Sequence, residues 1–560
     1  MTAILRRLLL KKIVTSGFQI APDALDYIVG LESPLDIVET IVTGGESIVF
    51  PVIISRDFLV SYVDELRPIS LEPEISHSEA LTDLKLDVES IERPIPEESG
   101  ERKDGIQVIK NPVFELVGSS GLIDDFLALF EDRFDRIKRI FMRRMDTQGA
   151  VSPYIAKMKK RSAQARKSVI QEGGRASPRE STIVLGIVSS KRVGSSSRNI
   201  IIELEGGREV DPKNSYEFGR EKDRLTCIIP SGREGLKGVQ LQEKGNSLLL
   251  DETVCISGYV DPGGRMIADD IIFPDIPAAR SLGRARRDVY AAFISDLHCG
   301  SQEFLEDEFD RFVNWLRGKD VDTADKEMVN QIEYLFVAGD LVDGIGVYPS
   351  QKENLLVPDI VGQYQIAAQK LKKLPKRITT VAIPGNHDAS RQALPKPPIP
   401  KEFAGPLYEL GDRIMMMGDP CFLRVEGVKI ILTHGDSMDD LVVNSPGASY
   451  VSPAIGMKEL LRKRHLAPIY GGKTELAPLH HDWLVIDTPP DIIHFGHAHH
   501  NAVDVYRQVH IINSGTFQGQ TDFMRKQGII PTPGIVTLVN LRTGNPDVRL
   551  FYDLSQLNVG

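Results

Sequence analysis

From about residue 284 to the end, short apolar runs alternate with stretches whose apolar residues recur at helical spacing. Phe309, Phe312, Val313 and Leu316, for example, are spaced to cover one face of a helix. Five of the apolar runs are Phe293-Ile294-Ser295, Phe336-Val337-Ala338, Val381-Ala382-Ile383, Ile431-Leu432-Thr433 and Ile492-Ile493-His494-Phe495. Strand alternating with helix predicts a layered α/β domain over 284–560.

The pattern differs upstream. Over 181–275 the apolar runs are short and β-rich, as in Ile183-Val184-Leu185, Ile200-Ile201-Ile202, Leu225-Thr226-Cys227-Ile228-Ile229 and Val254-Cys255-Ile256. Gly, Ser, Asn and Asp separate them, so a small closed barrel of the OB type is expected. No aromatics are interleaved along these strands, which leaves a scaffold role open beside single-strand binding. Over 106–150 a strand and a long helix are expected to pack on the barrel, the helix carrying Phe126, Leu127, Phe130, Phe134, Ile137 and Phe141 at helical spacing. Residues 1–70 predict a small helical domain, with Leu25, Ile28 and Val29 on one face. Residues 71–105 turn to Glu, Ser, Pro and Asp and predict a linker. Residues 151–180 form a second linker, basic through Lys159, Lys160, Arg161, Arg166, Lys167 and Arg175; it is either a solvated connector or a DNA-contacting arm.

Composition narrows the function. A chain of 560 residues exceeds one core and implies about two to four domains. A formal net charge of -11 excludes general electrostatic coating of nucleic acid, so any DNA contact needs a local basic patch. The four cysteines, Cys227, Cys255, Cys299 and Cys421, are scattered, which argues against a disulfide framework, a zinc ribbon or an iron–sulfur site. The N-terminal apolar run is too short for a signal peptide, and no stretch suits a bilayer, so a cytoplasmic location and no membrane partner are expected.

The apolar runs of the last domain share one trait. They end on Asp296-Leu297-His298, Gly339-Asp340, Gly385-Asn386-His387-Asp388, His434-Gly435-Asp436 and Gly496-His497-Ala498-His499. Sites in α/β sheets form at the carboxyl ends of strands, so these residues are expected at one edge. One Asp-x-His is weak evidence, because an acid there is often a helix cap; five such endings together point to a divalent-metal pair. Asp296 and His298, one residue apart on an extended segment, would point to the same side. Asp340 has two oxygens with which to bridge two ions, and His497 and His499 offer one imidazole to each. Mixed imidazole, carboxylate and amide ligation suits two divalent ions, Mn²⁺ first, with Fe²⁺, Zn²⁺ or Mg²⁺ as alternatives. Two ions about 3.5–4 Å apart suit phosphodiester cleavage.

In order and spacing, these motifs resemble the calcineurin-like metallophosphoesterase superfamily, and its Mre11-type nucleases in particular. Asp340-Leu341-Val342-Asp343-Gly344, Gly385-Asn386-His387-Asp388 with Arg391-Gln392, and Ser514-Gly515-Thr516-Phe517 are more narrowly similar to the small subunits of archaeal family-D DNA polymerases. The resemblance implies a four-layer α/β/β/α phosphoesterase domain behind an OB barrel and an N-terminal helical domain. It also implies Asp296, His298, Asp340 and His499 around one ion, and Asp340, Asn386, His434 and His497 around the other. His387 would act on the transition state as the catalytic residue, with Asp388 orienting it. The implied activity is a 3′→5′ proofreading exonuclease, with a large catalytic subunit as heterodimer partner, single-stranded DNA 3′ ends as substrate and the sliding clamp as a further partner. A clamp subunit with vestigial hydrolysis is the alternative, and a phosphoprotein phosphatase or small-molecule phosphodiesterase a third reading. Polymerisation itself would fall to the large subunit. His465, His480, His481, His494 and His500 have no motif partner and are expected away from the metals, at the surface or behind the ligands. Asp343 and Asp436 are candidates for supporting the ligands, and Cys299, Trp315 and Trp483 for packing.

Overall fold

The computed structural model describes residues 105–158, 181–206, 224–232 and 235–552, together with 19–20, 24, 27–28, 53–54 and 102–103. The acidic linker up to residue 101 and the basic run from Lys159 to Arg175 lie outside the described residues, as does nearly all of the N-terminal domain; the linker's last residues, Arg102–Lys103, are a strand rather than a linker. Within Met1–Arg93, a unit of its own, the strands Gln19–Ile20 and Ile53–Ile54 pair in parallel, and Ala24 and Ile28 are buried.

Two sheets form the centre of the second unit. A six-stranded sheet runs Ile414–Met416, Thr379–Ile383, Ile332–Ala338, Tyr290–Ile294, Ile535–Asn540 and Pro546–Leu550, its first four strands parallel. A seven-stranded sheet runs Ala502–Tyr506, Val509–Asn513, Ile492–Phe495, Val428–Leu432, Cys421–Val425, Ile106–Lys110 and Arg102–Lys103. In it Val428–Leu432, Ile492–Phe495 and Val509–Asn513 are parallel.

The period-2 alternation of strands decides where each side chain goes. Ala291, Phe293, Tyr334, Phe336, Val381 and Ile383 face inward and meet Ile430, Leu432 and Ile492 from the other sheet. Their neighbours Ala292, Ile294, Leu335, Val337 and Ala382 face outward onto Phe309, Phe312, Val313 and Leu316 of helix Glu306–Leu316 and onto Tyr364 and Leu371 of helix Ile360–Lys372. On the far side Ile431, Ile493 and Phe495 meet Met438, Leu441, Met457, Leu460 and Leu461 from two further helices. Because both faces of both sheets are covered, the central strands read as unbroken apolar runs.

A closed five-stranded barrel precedes this domain, built from Thr182–Val193, Ile200–Glu205, Leu225–Ile229, Thr253–Val260 and Met266–Ile272. The last strand, MIADDII, carries two acids in its middle and is the one the apolar pattern did not single out. Helix Ile123–Met142 packs Phe134, Ile137 and Phe141 against Leu185, Ile187 and Cys255 of the barrel and against Val485. Leu127, expected on that face, is exposed, and its place is taken by Leu129, Arg133 and Arg136.

Candidate metal centre

The parallel strands of both sheets deliver the site residues at their carboxyl ends, and there the backbone turns sharply. Asp296, His298, Asp340, His497 and His499 all hold φ between 51° and 65°, the left-handed region that non-glycine residues seldom enter. The expectation of an extended Asp296–His298 segment is therefore incorrect. The chain twists at both residues, and this twist, rather than strand alternation, brings their side chains to one side. Gly339 and Gly385 make room for the twist. A Cβ on Gly339 would lie 2.4 Å from His434 Nδ1, and one on Gly385 would lie 2.1 Å from Asp340 Oδ1.

On one side of Asp340, His298 Nε2 lies 3.1 Å from His499 Nε2 and 3.7 Å from Asp340 Oδ2. His499 Nε2 is 3.4 Å from Asp296 Oδ1. On the other side His434 Nε2 is 3.3 Å from Asp340 Oδ2 and 2.9 Å from Asn386 Oδ1, and His497 Nδ1 is 3.1 Å from the same amide oxygen. Candidate donors of Asp296, His298 and His499, and those of Asp296, Asp340 and His434, lie within 4.8 Å of one another in each group. All the sequence-predicted ligands thus converge, with Asp340 between the two groups.

Neighbours fix which ring nitrogen faces inward. His298 donates through Nδ1 to Asp343 Oδ1 at 3.1 Å, His434 through Nδ1 to the Ala338 carbonyl at 2.8 Å, and His497 through Nε2 to Asp439 Oδ1 at 2.8 Å. Each bond leaves the opposite nitrogen facing the pocket. Asp343 is in turn held by Gln351 and Gln518 at 3.0 and 2.9 Å. His387 donates through Nδ1 to the Asp343 carbonyl at 2.7 Å, and its backbone N–H donates to Asp340 Oδ1 at 2.8 Å. Asp388 does not orient His387. Its oxygens accept from Gly385 N–H at 2.9 Å, Leu341 N–H at 3.2 Å and the Tyr364 hydroxyl at 3.0 Å, so it ties the Gly385–His387 turn to the Asp340 segment.

The sequence is similar to those of DNA polymerase subunits. The family of DNA polymerase alpha/epsilon B-subunits matches residues 291–503. The DNA polymerase II small subunit of Archaeoglobus fulgidus is 34% identical over 554 residues, covering 97% of each chain. The chain belongs to the family of DNA polymerase II small subunits. That of Methanocaldococcus jannaschii is 37% identical over 442 residues, 79% of this chain and 68% of its own. Among solved structures, an archaeal phosphodiesterase aligns with 47% of this chain and 99% of its own at 11% identity and a TM-score of 0.24.

In this polymerase small subunit the pocket is strongly acidic. Among the described residues, the only cationic partners of Asp296, Asp340 and Asp343 are histidines. Burial opposes charge on His434, but Asp340 and Asp296 outweigh it and raise its pKa to about 10. Burial likewise opposes charge on Asp340, yet His434 and His387 hold it well below the usual carboxylate range. His298 is raised despite burial, chiefly by Asp343 and Asp340, whereas burial lowers His387 and His499. Nδ1 of His499 is buried without a hydrogen-bond partner. Oxygen and imidazole donors arranged around underneutralised carboxylates fit hard or borderline divalent cations.

The five histidines without a motif partner do not join either group of ligands. His494 is buried, 2.6 Å from Ser514 Oγ and edge-on to Phe293; His465 pairs with Asp482, and His500 donates to the Ala498 carbonyl. All three are interior groups, whereas His480 and His481 are exposed beside Asp125 and Asp132. Cys299 is a buried packing thiol. Asp436 pairs with the buried Lys396 at 2.9 Å and also lies with His434 and His497 in a group whose donors are within 4.8 Å of one another. Sequence reasoning missed Asp439, Gln351, Gln518 and Tyr364, because an isolated Asp, Gln or Tyr carries no motif.

Proposed function

We propose that the chain is the small, proofreading subunit of a two-subunit archaeal replicative DNA polymerase, hydrolysing DNA phosphodiester bonds from the 3′ end in a metal-dependent reaction. The observation that carries this reading is the convergence of donors from five strand ends on Asp340, with His387 held beside them. Asp296, His298, Asp340 and His499 would hold one divalent ion, and Asp340, Asn386, His434 and His497 the other, with Mn²⁺ the first candidate. Bound there, the pair would neutralise phosphate charge and supply an activated water.

His387 works on the substrate rather than on a ligand position. Its Nδ1–H is committed to the Asp343 carbonyl, so Nε2 is the nitrogen free for a phosphoryl oxygen or the leaving 3′ oxygen. Burial keeps the imidazole mostly neutral in the free chain; an approaching phosphate would raise its pKa and favour the proton it must give. The large catalytic subunit and single-stranded 3′ ends are the expected partners, with the sliding clamp a further one. The barrel, of the OB type in this reading, would support the phosphoesterase domain.

The test is Mn²⁺-dependent degradation of 3′-labelled single-stranded DNA. Asp340→Ala should abolish both cleavage and metal-induced stabilisation. His387→Ala should cost about 10²–10⁴-fold in turnover while keeping the metal response. Equal rates in wild type and both variants would overturn the mechanism. Purified chain that binds no transition metal and cleaves no aryl phosphodiester would favour the clamp subunit instead.

A further inference from the structure

Two neighbouring segments, one of them beside His387, carry apolar groups that the domain leaves in solvent. Phe523 is 43% exposed, and Ile345, Val347 and Ile530 on the same two segments are exposed as well. Phe523 stacks on the half-buried ring of Tyr348, centroids 5.2 Å apart at 30°, and Tyr348 in turn lies 6.3 Å from the His387 ring. The rings therefore form a short stair that leads from solvent to the site.

Both steps are built on held backbone. Gln351 accepts from Val347 N–H at 2.8 Å and donates to the Asp343 carbonyl at 2.7 Å, which fixes the loop carrying Tyr348 to the group that orients His298. Phe523 sits on helix Asp522–Gln527, capped where Thr521 Oγ accepts from Met524 N–H at 3.2 Å, with Met524 buried beneath. Exposed Lys526, three residues on, shares a helical face with Phe523. Phe523 remains 43% exposed although it already stacks on Tyr348. A planar apolar step with a cation beside it suits the flat face and charged backbone of a nucleic-acid strand.

We infer that Tyr348 and Phe523 form a stacking subsite for an unpaired base at the end of a nucleic-acid strand whose terminal phosphodiester lies at His387. The inference rests on the phosphodiesterase reading and gives it a substrate feature: the site takes polymers whose end bases are free to leave a duplex, and a frayed or mismatched end is favoured over a paired one.

The full-length chain is titrated with a single strand ending in 2-aminopurine behind a phosphorothioate linkage, and with the same strand ending in an abasic sugar. Phe523→Ala should weaken binding of the base-bearing strand by about ten-fold and relieve its fluorescence quenching, yet bind the abasic strand as wild type does. Tyr348→Ala should act in the same direction, and Phe523→Trp should retain binding. Equal affinity of wild type and Phe523→Ala for the base-bearing strand would overturn the subsite, and so would an equal loss on both strands. Unchanged strand binding with lost association to a large polymerase subunit would also overturn it, making the patch a protein interface. If wild type quenches the probe but leaves an all-phosphate strand intact in Mn²⁺, the nuclease reading falls and the subsite stands.

Discussion

Where helix Ile123–Met142 meets residues 482–487, Arg133 Nε donates to Asp482 at 2.7 Å, and Arg136 reaches Asp487 at 2.8 Å and Asp132 at 3.0 Å. At the strand-end pocket Asp296, Asp340 and Asp343 are just as deeply buried, but among the described residues the only cationic groups paired with them are histidines. One residue type separates the two regions. His465 touches Asp482, already satisfied by Arg133, and burial together with that arginine lowers its pKa to about 4. His434 touches Asp340, and although burial opposes its charge, Asp340, Asp296 and Asp436 together raise it to about 10. A matched buried charge is part of the framework; an unmatched one calls for a cation.

The sharpest way to break the comparison is to unmatch the matched region. Arg133→Ala leaves Asp482 buried beside a neutral His465, and about 3–5 kcal/mol of stability should be lost in denaturant unfolding. Replacing Arg133 and Asp482 together by Met and Leu should recover most of that loss. A double variant no more stable than Arg133→Ala would show that this junction depends on its backbone hydrogen bonds, such as Arg133 to the Pro468 carbonyl, more than on the ion pair.

The pocket should respond the opposite way, to the addition of charge. Mn²⁺ at about a hundred times its dissociation constant should add roughly 2.7 kcal/mol of stability, removable by chelator. His434→Ala should lose most of this increment, while a folded Arg133 variant should keep it. Gly385→Ala is the subtler probe. Its methyl would collide with Asp340 Oδ1, so the metal increment should fall although no ligand has changed. An unchanged increment would mean that the turn can move without disturbing Asp340.

The same contrast explains what was legible in the sequence. The pocket could be read because its ligands sit in short motifs at the ends of apolar runs, and each motif names its own strand. The junction could not be read, because Arg133 and Arg136 look like the polar side of an amphipathic helix and their partners lie about 350 residues away. Helix Glu306–Leu316 was legible because Phe309, Phe312, Val313 and Leu316 keep one period and meet one sheet. The barrel strand Met266–Ile272 was not, since Asp269 and Asp270 break its alternation. Within the pocket, sequence located the ligands but not the left-handed backbone that aims them, nor Asp439 and Gln518 behind them. Those depend on contacts between distant loops, which no local pattern records.

The smallest effect concerns pH and separates the regions once more. Burial opposes charge on Asp132, but His481, Arg136 and the Asp482 N–H outweigh it and lower its pKa to about 2. Because the folded value lies below the unfolded one, near 3.9, the charged form favours folding. That contribution is fully present above about pH 4 and is lost as pH falls toward 2, and it amounts to on the order of 1–2 kcal/mol. In acid unfolding monitored by circular dichroism without metal, Asp132→Asn should therefore be less stable than wild type at pH 6, and the gap should close between about pH 4 and pH 2. A gap that stayed constant down to pH 2 would assign the loss to the hydrogen bond with Asp482 N–H, 2.8 Å long, rather than to charge. In that case the junction would be matched by geometry, and the electrical contrast with the pocket would rest on Arg133 alone.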